Sequence, residues 1–151
     1  MAFNLPKSEP IATFEHSSRV RYYDIDAMGR VHHSVYFKYM ENARTEWLRK
    51  FGVTYKKIED SGVLMPVTTV EGKYKWPLNY DEIYHVALSV YEIPTTRMAI
   101  YSRITNEKSQ IVFEGKVELC FINTATFRPQ RSNDLFAGFV QAVTNKNQKN
   151  H

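Results

Sequence analysis

The chain has 151 residues, a formal net charge of +4 at pH 7 and a sequence pI of about 9.1. Its length predicts one domain over residues 1–151, and its single cysteine excludes an intramolecular disulfide. Positive and negative side chains are interspersed, no stretch could span a bilayer, and the first residues lack a signal peptide's apolar run. We therefore expect a cytoplasmic protein with no nucleic-acid partner and no membrane insertion.

The first half of the chain predicts one strand followed by one long helix. Residues 1–11 contain two prolines and are expected to be flexible, and rough alternation of apolar and polar residues predicts a strand over 13–25. After a turn over 26–33, a helix is predicted over 34–51, with Ser34 as N-cap and Gly52 as the C-terminal stop. Its apolar stripe consists of Val35, Tyr36, Tyr39, Met40, Ala43, Trp47, Leu48 and Phe51.

The second half is predicted to be almost all strand. Four β-rich segments, 63–76, 82–91, 97–106 and 111–121, are separated by short turns that favour antiparallel neighbours. A short helix over 135–140 and a flexible tail over 144–151 complete the chain. The prediction is an α+β fold whose sheet wraps the helix. Large aromatic residues on the strands predict at least a homodimer: Tyr74, Trp76, Tyr84, Tyr91 and Tyr101.

The turn over residues 26–33 carries the most informative chemistry. It contains Asp26 and Gly29, and His32 and His33 stand directly before the predicted helix. The start of a helix offers unpaired N–H groups and a partial positive charge. A carboxylate beside such donors can attack a carbonyl, or activate water to attack it, while the donors hold the carbonyl oxygen. This combination indicates acyl transfer to water.

The segment over residues 21–44, RYYDIDAMGRVHHSVYFKYMENAR, resembles the signature of hotdog-fold acyl-CoA thioesterases, in the branch of the 4-hydroxybenzoyl-CoA and Tol–Pal-associated thioesterases. Weaker similarity continues at Trp76-Pro77, at the turn Asp81-Glu82 and at the closing segment 127–131. The resemblance implies a hotdog fold, in which a curved, mostly antiparallel five-stranded sheet wraps a long central helix. It also implies that two subunits join their sheets in a homodimer, which often pairs into a tetramer.

The same resemblance implies hydrolysis of an acyl-CoA, without a metal or organic cofactor. Asp26 corresponds by position to the family's catalytic aspartate, acting as nucleophile or general base. The backbone N–H of His33, at the helix start, corresponds to the group that polarises the thioester carbonyl. Arg30 stands where many relatives carry His or Val, which weakens any transfer of substrate identity.

Further residues are assigned to substrate binding. Gly29 belongs to the signature turn, and the aromatic side chains of Tyr23, Tyr36 and Trp76 are candidates for the acyl pocket. Relatives often place basic residues near the closing segment, so Arg128 and Arg131 are the candidates for the phosphates of CoA.

Several alternatives remain open. The enzyme alternatives are a thioesterase acting on acyl-carrier protein and a hydratase on the same fold, and the non-enzyme alternative is a catalytically silent acyl-CoA-binding protein. Asp24, two residues from Asp26 on a predicted strand, is either a helper on the same face or, by preference, a solvated carboxylate. His32 is assigned a structural role, Glu41 is assigned to the surface, and the scattered histidines do not support a metal site.

Overall fold

The computed structural model describes residues 3–132 and Gln141. Within these residues two α-helices and seven strands follow in chain order, with a single 3-10 turn at Tyr22–Asp24 between β1 and α1. The elements are β1 (Ala12–Arg19), α1 (Val35–Lys50), α2 (Tyr55–Asp60), β2 (Val63–Leu64), β3 (Val67–Tyr74), β4 (Ile83–Val90), β5 (Arg97–Thr105), β6 (Ile111–Cys120) and β7 (Ile122–Asn123).

Five of the strands form one antiparallel sheet in the order β1-β4-β5-β6-β3, and β2 pairs with β7 beside it. The helix α1 packs across this sheet, chiefly against β4, β1 and β6. Alternate side chains of β4 and β5 are buried beneath the helix, as expected for a sheet with one covered face. The predicted α+β architecture of one long helix and a five-stranded antiparallel sheet is therefore confirmed.

The boundaries of α1 follow from local chemistry. At the C-terminus of α1, Gly52 has φ +71°. The Gly52 amide donates to the carbonyl of Arg49, and the Val53 amide donates to the carbonyl of Leu48. This is the Schellman arrangement, which needs a left-handed residue and so favours glycine. Seven of the eight predicted stripe residues are buried, Phe51 is half-buried, and Arg44 joins them although the sequence pattern did not include it.

The predicted strand over 13–25 is wrong beyond Arg19. The chain turns at Arg21 because the carboxylate of Asp24 accepts a hydrogen bond from the Arg21 amide at 3.0 Å, which closes the 3-10 turn. The predicted strand over 63–76 is also interrupted, since Pro66 cannot donate to a ladder. The helix α2 was not predicted; its N-cap is Thr54, whose hydroxyl accepts from the Lys57 amide at 3.1 Å.

The strands β4, β5 and β6 agree with prediction to within one residue at each end, whereas β7 was not predicted. The aromatic side chains on these strands do not all meet solvent. Tyr84 is buried and its ring stacks on Tyr39 of α1, with ring centroids 4.0 Å apart. The predicted helix over 135–140 and the tail over 144–151 lie outside the described residues. Within the described part of the chain, no helix combines the length and apolarity needed to cross a membrane.

Candidate active site

The turn that carries Asp26 is a tight hairpin. The Asp26 amide donates to the carbonyl of Arg30 at 2.7 Å, and the Gly29 amide donates to the carbonyl of Asp26 at 3.0 Å. Gly29 has φ +75°, the left-handed conformation that a three-residue hairpin loop requires at this position. The glycine is therefore explained by the turn, and it presents Asp26 at the hairpin's base.

The carboxylate of Asp26 is held through one of its two oxygens. Its Oδ1 atom accepts from the amide of Met28 at 2.8 Å and from that of Arg30 at 3.3 Å. Among the described residues no group donates a hydrogen bond to Oδ2, and Asp26 as a whole is half-buried. One oxygen is thus fixed by the backbone while the other remains available for chemistry.

Asp24 has a different environment from Asp26. It is 6% exposed, and its Oδ2 accepts from the Tyr39 hydroxyl at 2.7 Å as well as from the Arg21 amide. Burial raises the pKa of the Tyr39 phenol, and its hydrogen bond to the Asp24 carboxylate raises it further. Both expectations for Asp24 were therefore wrong: the 3-10 turn removes it from the face of Asp26, and it anchors the loop to α1 instead of meeting solvent.

The helix start lies opposite this hairpin. Ser34 occupies the N-cap position, but its hydroxyl does not cap the helix; it bonds to Nδ1 of His32 at 2.8 Å. The Ser34 amide also donates to the His32 ring, at 3.3 Å. The His33 amide has no acceptor among the described residues, and the His33 carbonyl accepts from the Tyr74 hydroxyl at 2.6 Å. His32 consequently satisfies the Ser34 amide, while the preceding amide, that of His33, has no acceptor among the described residues.

A cavity of about 440 Å³ joins the hairpin, the helix start and the end of β3. Four predicted site residues line it: Asp26, His33, Tyr36 and Trp76. The other lining residues were not predicted as site residues: Met28, Arg30, Val31, Tyr74, Lys75 and Pro77. The alternation of Tyr74 and Trp76 at the end of a strand is a signal that would have selected Tyr74.

Charges of both signs surround this cavity. Burial raises the pKa of the Tyr36 phenol, hydrogen bonding to the backbone of Leu78 opposes the rise, and the negative charge of Asp26 adds to it. Lys75 forms an ion pair at 3.1 Å with Glu114, which also pairs with Arg103 at 3.2 Å. The cavity therefore combines one carboxylate, cationic side chains and a predominantly aromatic wall.

Four predicted substrate-binding residues do not line this cavity: Tyr23, Gly29, Arg128 and Arg131. Gly29 serves the hairpin turn instead. Tyr23 is 80% exposed and borders a separate cavity on the other side of the 3-10 turn. Arg128 and Arg131 are exposed in the closing segment, which bonds back to Phe121 and to Thr95 at the far ends of β6 and β5. The length of β3, about 26 Å at the usual strand rise, separates that end of the sheet from the cavity.

The described residues contain no group of three or more His, Cys, Asp or Glu side chains arranged to hold a metal ion. Glu41 is exposed on α1, as predicted, whereas the neighbouring Arg44 is buried and donates to the Tyr55 hydroxyl at 2.7 Å. Among the described residues, Glu41 and Arg44 do not form an ion pair with each other.

Comparison with known proteins places this site in a family. The model of the Thioesterase-like superfamily matches residues 20–143, which include the hairpin, the helix start and the strands β3 to β6 of the main sheet. The chain belongs to this superfamily, and the predicted resemblance to hotdog-fold thioesterases is confirmed.

Individual relatives agree with this assignment. A protein of Aquifex aeolicus (strain VF5), named only as an esterase, is 39% identical over 111 residues, 74% of this chain and 80% of that protein. The acyl-CoA thioester hydrolase YbgC of Escherichia coli O6:H1 (strain CFT073) is 26% identical over 112 residues, 74% and 84% of the two chains. The structure of a DHNA-CoA thioesterase from Staphylococcus aureus superposes with a TM-score of 0.79 at 29% identity, covering 91% of each chain. The prediction of an enzyme of the thioesterase class is confirmed at this level.

Proposed function

We propose that this protein hydrolyses acyl-CoA thioesters to a free carboxylic acid and CoA. The observation that carries the proposal is the position of Asp26, whose free Oδ2 shares a cavity with the unpaired amide at the start of α1. The relatives support the substrate class, because YbgC is named an acyl-CoA thioester hydrolase and the S. aureus structure is that of a CoA thioesterase.

In the proposed reaction the thioester carbonyl oxygen accepts a hydrogen bond from the His33 amide. The partial positive charge of the helix start stabilises the oxyanion that develops as the carbonyl carbon is attacked. Because the His33 carbonyl is held by Tyr74 and the Ser34 amide by His32, the backbone at this point is fixed before substrate binds. The helix start is thus preorganised for the transition state.

Asp26 supplies the attack in one of two ways. As a nucleophile, its Oδ2 bonds to the carbonyl carbon, the C–S bond breaks, CoA leaves as the thiolate and water hydrolyses the resulting anhydride. As a general base, it takes a proton from water, the hydroxide adds to the carbon, and the same C–S bond breaks as the thiolate takes up a proton. Both routes use the same free oxygen and yield the same products.

A second copy of the chain is proposed to complete the site along β3. This strand is an edge of the sheet. Exposed apolar side chains lie along it and just beyond its end, where a monomer leaves them open: Val67, Val70, Tyr74 and Trp76. Antiparallel pairing of two β3 strands about a two-fold axis sets the beginning of one strand beside the end of the other. The closing segment lies near the beginning of β3. Its Gln130 amide donates to the Phe121 carbonyl, and the amide of the adjacent Cys120 donates to the carbonyl of Pro66, directly before β3.

This pairing gives Arg128 and Arg131 a proposed role that their own chain does not offer. In the dimer, the closing segment of one copy approaches the cavity of the other, where the CoA phosphates emerge. Guanidinium groups are well suited to bind phosphate through paired hydrogen bonds. The acyl arm would then lie against Tyr36 and Trp76 of one copy, with the phosphates held by the other.

The experiment is a measurement of thiol release by the purified protein from a panel of acyl-CoAs and acyl-carrier-protein thioesters. The proposal predicts turnover of at least one acyl-CoA well above the spontaneous rate. Faster turnover of the carrier-protein thioesters would show that the protein is instead a thioesterase acting on acyl-carrier protein. Tight binding of acyl-CoA without thiol release would show a silent binding protein.

A further inference from the structure

Two glycines face each other on the helix side of the sheet. Gly72 of β3 pairs in register with Gly115 of β6. A Cβ atom built on Gly72 would lie 2.5 Å from the ring of Phe113, and one built on Gly115 would lie 2.8 Å from the same ring. Real Cβ atoms do not approach carbon so closely, so both positions must lack a side chain to make room for this phenyl ring.

Phe113 fills that space completely. It has no exposed surface, and its ring stacks on Tyr36 with centroids 5.0 Å apart and meets the edge of Tyr74 at 5.1 Å. On its other side the ring contacts Phe37 at 5.6 Å. Each of these pairs adds a directional preference to the burial energy, so the ring is held in one orientation.

The ring thereby separates two spaces. Tyr36 and Tyr74 line the cavity that contains Asp26, whereas Phe37 belongs to a second, apolar groove of about 240 Å³. The groove is walled by further apolar side chains of α1, β3 and β6: Met40, Val67, Val70 and Val117. Its lining also includes two charged residues of α1, Glu41 and Arg44. Phe113 lines neither space and touches the wall of both.

We infer that Phe113 is a specificity-determining residue, which closes the inner end of the acyl cavity and confines the substrate to short acyl groups and single aromatic rings. The inference rests on the proposed function, because it takes the cavity of Asp26 as the acyl site. A longer alkyl chain needs the space of the groove, and the ring of Phe113 blocks the way to it. Removing part of the ring connects the two spaces and admits such chains.

The test compares Phe113→Leu with the wild type on butyryl-, benzoyl-, octanoyl- and dodecanoyl-CoA. The matched control is Phe121→Leu, the same change at an equally buried phenylalanine at the opposite end of β6. Thermal unfolding of both variants shows whether each still folds.

The wild type is expected to prefer butyryl- and benzoyl-CoA. In Phe113→Leu the ratio of kcat/KM for dodecanoyl- over butyryl-CoA is expected to rise at least about tenfold, the usual scale of steric discrimination in an apolar pocket. Phe121→Leu is expected to leave that ratio unchanged. The inference is overturned if the wild type accepts dodecanoyl-CoA as readily as butyryl-CoA, or if both variants shift the ratio equally.

A binding measurement separates this inference from the proposed reaction. Butyl- and dodecyl-CoA thioethers cannot be hydrolysed, and calorimetric titration gives their affinities for each variant. If no thioester is turned over but Phe113→Leu alone gains affinity for the dodecyl thioether, the proposed hydrolysis fails and the role of Phe113 stands. If the dodecyl thioether binds the wild type and both variants alike, the role of Phe113 fails whatever the hydrolysis assay shows.

Discussion

The hydroxyl of Tyr74 donates to the backbone carbonyl of His33 at 2.6 Å. This bond joins the end of the edge strand β3 to the start of α1, through two residues 41 positions apart in the chain. It fixes the peptide that follows His33, directly beside the amide proposed to polarise the substrate carbonyl. Sheet edge, helix start and cavity are therefore coupled through one side chain.

Tyr74→Phe removes this hydrogen bond and keeps the aromatic wall of the cavity. Because the helix start then loses its fixed orientation, kcat is expected to fall about tenfold with little change in KM, the scale of one modest hydrogen bond in the transition state. Steady-state kinetics on the best acyl-CoA measures both parameters. A rise in KM at constant kcat would show instead that the hydroxyl binds substrate.

Tyr39→Phe tests the structural role of Asp24. The variant leaves the buried Asp24 carboxylate with the Arg21 amide as its remaining hydrogen-bond partner among the described residues, so the free energy of unfolding is expected to fall by about 2 kcal/mol. Urea denaturation measures the loss. Unchanged stability would mean that Asp24 does not depend on this hydrogen bond to anchor the loop.

Glu114 provides a pH-dependent contribution to stability. Burial acts to raise the pKa of its carboxyl, but hydrogen bonds and ion pairs from Lys75 and Arg103 outweigh burial and hold the pKa below its usual value. A carboxyl whose pKa is lower in the folded state stabilises the protein above its unfolded pKa, and that stabilisation is lost as pH falls through the folded pKa.

Glu114→Gln is accordingly expected to cost about 1–2 kcal/mol of unfolding free energy at pH 7. The difference in unfolding free energy between the variant and the wild type should shrink as pH falls below about 4.3, the ordinary pKa of glutamate. Urea denaturation at a series of pH values measures it. A difference that stays constant down to pH 3 would show that the ion pairs do not stabilise the fold.

The proposed sharing of sites between two copies predicts complementation. Asp26→Asn and the double variant Arg128→Ala/Arg131→Ala are each expected to lose activity as homodimers. A mixed dimer contains one site with both the intact Asp26 and the intact arginines, so coexpression of the two variants should restore activity. If the arginines served the cavity of their own chain, the mixture would stay inactive. Light scattering gives a separate test, since a measured mass equal to the protomer mass of 17.7 kDa would exclude the dimer itself.

The sequence was sufficient for the periodic parts of the fold. The apolar spacing from Val35 to Leu48 predicted α1, and the short connections predicted the antiparallel pairing of β4 with β5 and of β5 with β6. They did not predict the place of β3, which pairs with β6 and not with β4. The errors occurred where a single side chain overrides the pattern. The carboxylate of Asp24 converts an expected strand into a 3-10 turn, and the His32 ring takes the place of Ser34 at the helix start.

The candidate site divides in the same way. Asp26, His33 and Tyr36 were predictable because they lie within one continuous segment, and Trp76 because it ends a β-rich segment. Tyr74 and Lys75 meet them only through strand pairing, and the separation of Arg128 from the cavity depends on which end of the sheet the closing segment reaches. Long-range placement of this kind is set by the sheet register, which local patterns do not specify.

The central claim is that the free oxygen of Asp26 performs the reaction, and Asp26→Asn tests it most directly. Asparagine keeps an Oδ1 acceptor for the Met28 and Arg30 amides, so the unfolding temperature of the variant should be about that of the wild type. Its kcat/KM on the best acyl-CoA should fall at least about 100-fold, the lower range for loss of a catalytic base. A folded variant that keeps most of the wild-type rate would contradict the account.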